Sequence, residues 1–111
     1  MAYDEELAVR IRELISGEPG LSEKKMFGGL AFLIGGNMAI AASGHGGLMV
    51  RVDPAESDEL VSATAARVVE MRGRPMPGWL YLESGEVGTA EELQAWVDRG
   101  ASFARSLPAK R

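Results

Sequence analysis

Leu30-Ala31-Phe32-Leu33-Ile34-Gly35-Gly36-Asn37-Met38-Ala39-Ile40-Ala41-Ala42 carries two apolar runs joined by a glycine-rich turn. Leu30, Phe32 and Ile34 alternate with Ala31 and Leu33, and Met38, Ile40 and Ala42 alternate with Ala39 and Ala41. That is the period of two imposed by a pleated strand. Beyond Ser43-Gly44-His45-Gly46-Gly47 a third run follows, with Leu48, Val50 and Val52 alternating with Met49 and Arg51. Glycine pairs between short apolar runs are hairpin signals, so three antiparallel strands are expected. Gly28-Gly29, just ahead of the first run, suits a bulge or bend.

Outward from this block the periodicity changes. Between Asp4 and Ile15 the apolar residues Leu7, Ile11, Leu14 and Ile15 fall on one face of a helix, which Gly17, Pro19 and Gly20 end. On the other side, Asp53-Pro54-Ala55-Glu56 joins a capping carboxylate, a proline suited to a first turn and a glutamate, and starts a second helix anchored by Leu60 and Val61. Val68 and Val69 point to a fourth strand ending near Met71. With two prolines and two glycines, Arg72 to Gly78 reads as a loop, and Trp79-Leu80-Tyr81-Leu82 as the last strand. After a turn at Ser84 to Gly88, the capping box Thr89-Ala90-Glu91-Glu92 opens a helix through Trp96, Phe103 and Leu107. The expected order is α-β-β-β-α-β-β-α. It lacks the βα alternation of a parallel sheet, so an α+β fold is expected, with helices on a five-stranded, mainly antiparallel sheet.

The bulk properties bound the class. A chain of 111 residues with 46% hydrophobic and 25% charged residues fits one folded domain, residues 1–111. Cysteine is absent, which removes disulfide staples and thiolate zinc sites and favours a reducing, cytoplasmic setting. The acidic start Asp4-Glu5-Glu6 lacks the basic region of a secretory signal, and no apolar run is long enough to span a bilayer. A net charge of -4 weighs against direct duplex binding, which would need a local basic patch and would weaken steeply with salt.

The residues offer no catalytic constellation. His45, the one histidine, lies among Ser43, Gly44, Gly46 and Gly47, where a hairpin tip holds neither a metal nor a catalytic base. That glycine loop leads into a strand, whereas a dinucleotide cradle opens a helix. Neighbouring carboxylates such as Glu5-Glu6, Asp58-Glu59 and Glu91-Glu92 lie in first helical turns, where they stabilise the dipole. Neither a metal nor a cofactor is expected. Arg67, Arg72 and Arg74 form the densest basic segment and stand beside Met76 and Trp79, a composition common at interaction surfaces.

Lys25-Met26-Phe27-Gly28-Gly29, Leu48-Met49-Val50-Arg51, Gly73-Arg74-Pro75-Met76 and Gly78-Trp79-Leu80 occur in that order, followed by Trp96-Val97, Gly100 and Phe103-Ala104. With these motifs the chain resembles the TfoX/Sxy family in its N-terminal domain, from the first helix to Leu107. The resemblance implies a two-layer α+β fold with an antiparallel sheet. It also implies a role akin to regulators of competence genes that act with a cyclic-AMP-responsive transcription factor. Those relatives carry a second, helical domain, whereas this sequence ends at Arg111, so a stand-alone module is expected.

The functional expectation is a non-enzymatic regulatory or adaptor module that binds an unidentified protein partner near Arg72, Arg74, Met76 and Trp79. The alternatives are a domain that binds a small anionic ligand, or an enzyme, with Lys25 and Arg74 holding the anion beneath Trp79, and a weak direct DNA binder. Homodimerisation through an uncovered sheet face or edge is also open.

Overall fold

The computed structural model describes residues 3–26 and 28–108; Phe27, within the Lys25–Gly29 motif, lies outside them. Asp4 starts helix α1 (Glu5–Ile15) by accepting a hydrogen bond from the Leu7 amide at 3.1 Å. Six strands follow in one antiparallel sheet: β1 (Leu21–Met26), β2 (Gly29–Ile34), β3 (Asn37–Ala42), β4 (Leu48–Arg51), β5 (Arg67–Met71) and β6 (Arg74–Leu82), in the spatial order β1-β2-β3-β4-β6-β5. Helix α2 (Ser57–Ala63) links β4 to β5 after a 3₁₀ turn at Pro54–Glu56, whose Asp53 side chain accepts from the Ala55 amide. Helix α3 (Ala90–Ser106) closes the chain, its Thr89–Glu92 capping box formed in both directions.

The α+β class is as the sequence indicates, with one strand more than expected. β1, Leu21-Ser22-Glu23-Lys24-Lys25-Met26, is an edge strand whose four central residues are all exposed, so no apolar alternation marks it. Charged side chains, lysine above all, blunt such an edge against pairing with another chain.

One face of the sheet carries the main core. Phe32, Ile40, Leu48, Val50, Leu80 and Leu82 meet Leu7, Ile11 and Ile15 of α1 and Leu93, Trp96 and Val97 of α3. Met38, expected on this face with Ile40, is on the other one. The register skips Ala39, pairing Phe32 with Ile40 but Leu33 with Met38. This bulge places Ala39 and Ile40 together in the helix-side core and sends Met38 to the far face with Ala31 and Ala41.

The region expected to be a loop, Arg72 to Gly78, is mostly strand. Arg72 and Gly73 alone make the turn, with φ of 54° and 76°. Two positive φ values in succession characterise the tight hairpin turn that matches strand twist. Pro75 and Pro77 are tolerated because β4 pairs with β6 only from Trp79 onward, and the register with β5 shifts between Val68 and Glu70. Gly78, at φ 88°, redirects the strand, and its carbonyl accepts from the Val52 amide at 2.7 Å. Arginine holds the left-handed conformation at a cost that asparagine largely avoids. Arg72→Asn is therefore expected to stabilise the domain by up to about 1 kcal/mol in urea unfolding.

Arg12 of α1 grips Glu23 of β1 through two hydrogen bonds of 2.7 and 2.9 Å. The bonds from Arg12 hold the Glu23 carboxyl below its ordinary value. A lowered carboxyl adds stability above its unfolded pKa and loses it as pH falls through the folded one. Glu23→Gln is accordingly expected to cost stability at neutral pH and to flatten the acid limb of the stability profile, read by unfolding at several pH values. Among the described residues no helix is long and apolar enough to cross a membrane.

Candidate functional site

The face turned away from α1 and α3 is also apolar. One cross-strand row runs through Lys24, Ala31, Ala41, Met49, Tyr81 and Arg67, from β1 to β5. At its centre two alanines leave a low floor, while methionines and aromatic rings rise around it. The result is a cavity of about 870 Å³. Met26, Met38, Met49, Met71 and Met76 all line it, five of the six methionines in the chain. The sixth, Met1, lies outside the described residues. Unbranched and polarisable, methionine adapts its shape to what it contacts, which suits a binding surface as well as a core.

Trp79 forms one wall. The Arg51 guanidinium, its cross-strand partner, lies 5.0 Å from the Trp79 ring centroid and 5.5 Å from that of Phe103 in α3. Stacked so, the indole is fixed from outside the cavity. Polar groups gather at the opposite end, around the β3–β4 turn. There the Ser43 hydroxyl accepts from the His45 amide at 3.1 Å, and His45 itself is exposed. Next to it the Arg67 guanidinium lies 5.9 Å from the Tyr81 ring centroid, with carboxylates of Glu83 and Glu86 at 3.7 and 3.6 Å. Burial, and after it the Glu83 charge, push the Tyr81 phenol above its ordinary value, so it remains a protonated donor at neutral pH.

The expected site residues divide. Met76 and Trp79 line the cavity. Arg72 and Arg74 are exposed at the β5–β6 tip beside it, next to Met71, which is 42% exposed. Lys25 stands apart on the far edge strand opposite Leu30, a residue of the helix-side core. Strand alternation therefore turns it away from the cavity. Met26, Met38, Met49, Met71, Tyr81 and His45 join the site without having been singled out as binding residues. The signal for several of them is that both alternating sets in the strands are apolar, as happens when a sheet has two covered or functional faces.

Residues 13–104 match the TfoX N-terminal domain. The chain belongs to that family. Within the matched segment of this TfoX N-terminal domain lie the cavity, the β5–β6 tip, α2 and α3 up to Ala104, while most of α1 precedes it. No curated protein matches the chain.

Proposed function

We propose that this TfoX N-terminal domain is a non-enzymatic regulatory or adaptor module that binds another protein at the β5–β6 tip. Arg72 and Arg74 supply the charged contacts, with Met76 and Trp79 behind them. The observation that carries the reading is the tip itself. Met71 is one of two exposed large apolar residues among those described, and it ends β5 beside Arg72 and opposite Arg74. Arginine and methionine together are enriched where partners meet. The paired cations favour an acidic patch on the partner. The regulatory part of the reading rests on the family.

The test compares tagged wild type with an Arg72→Glu, Arg74→Glu double variant and with Lys25→Ala. A partner retained by wild type and Lys25→Ala should bind the double variant at least about 30-fold more weakly, the scale of an interface hot spot. Equal affinity for the folded double variant would remove the tip from the interface.

A further inference from the structure

We infer that the methionine-lined cavity is a binding site for a small amphipathic molecule with an apolar body and a cationic head. This goes beyond the partner reading and shares Met71, Met76 and Trp79 with it, but the arginines of the tip do not line the cavity.

The size suits a small molecule: such pockets run from roughly 300 to 1,000 Å³, and this one is about 870 Å³.

The lining then sets the chemistry. Along the body, Met38, Met76 and Trp79 present no charge, so an alkyl or aryl group lying against them buries apolar surface. At the polar end the Tyr81 hydroxyl, Arg67 and Glu83 converge beside the Ser43–His45 turn. Arg67 already faces Glu83, which lines the cavity, and Glu86 beside it, so one cation meets two carboxylates there. An ammonium group complements that excess, whereas a carboxylate or phosphate head would meet repulsion.

Decyltrimethylammonium and decanoate below their micellar concentrations, and decanol below its solubility limit, are titrated into the whole chain by calorimetry, with light scattering in parallel. The expected result is one-to-one binding of the ammonium compound, about tenfold tighter than decanoate at low salt, with decanol between. Glu83→Gln, at an exposed position, should narrow that preference. The inference is overturned if none of the three binds, if decanoate binds as tightly as the ammonium compound, or if many molecules bind per chain without saturation. A dimer that decyltrimethylammonium does not dissociate would also overturn it, by assigning the face to a second copy of the chain.

Discussion

Gly100→Val is expected to destabilise the domain by about 3 kcal/mol or more, a large part of the 5–15 kcal/mol that holds a typical domain together. Intrinsic preference argues the other way. Glycine inside a helix costs about 1 kcal/mol relative to alanine, and Gly100 lies well inside α3. Packing decides the outcome. A Cβ at Gly100 would collide with the Ala39 carbonyl oxygen and lie 3.0 Å from its carbon, with Val50 Cγ1 at 3.4 Å. The first obstacle is backbone, and Ala39 sits in the β2–β3 bulge with Ile40 fully buried next to it, so β3 has little freedom to yield. α3 must lift, separating Trp96, Val97 and Ala104 from the strands they cover. For a domain of this size the loss corresponds to roughly 10–20 °C in melting temperature. Gly100→Ala separates the two effects, because helix preference alone predicts a gain and the collision a loss. Gly17→Ala serves as control, since nothing lies within 4 Å of its Cβ position; it should change stability by no more than about 0.5 kcal/mol.

Ala41→Trp is expected to abolish binding in the methionine-lined cavity, at least about a hundredfold in affinity, while the fold persists. Ala41 stands at the centre of the cross-strand row, between Ala31 and Met49, and the cavity lies above it. An indole there fills the space that an apolar ligand body would take. Its own ring gains contact with methionine side chains that can shift to receive it, so the stability change should stay within about 1 kcal/mol. Ala31→Phe acts on the same floor from the neighbouring strand and should give the same result. Unchanged affinity in both folded variants would place any bound ligand elsewhere.

The helices, the three-strand meander and the antiparallel class are legible in the sequence because local chemistry states them. Asp4 and Thr89 are capping residues, and the apolar spacing of α1 and α3 matches one buried face. β1 is not legible, since an edge strand with exposed Glu23, Lys24 and Lys25 has the composition of a loop. Proline and glycine between Arg72 and Gly78 gave a misleading loop signal, because that part of β6 lacks β4 as a neighbour and tolerates missing amides. The candidate site is half legible. Met76 and Trp79 stand out by composition, but Met38 reaches the cavity only through a bulge that skips Ala39, a register event set by tertiary packing. The concavity depends on Ala31 and Ala41 coming side by side from different strands. Single-strand patterns do not carry that information.

The most direct test of the account follows the methionine methyl groups by NMR in protein labelled at those methyls, during titration with decyltrimethylammonium. Met26, Met38, Met49, Met71 and Met76 are expected to shift together along one saturable curve, and Ala41→Trp to remove the response. Methyl signals that stay in place through the titration, or a shift confined to exposed Met71, would contradict that expectation.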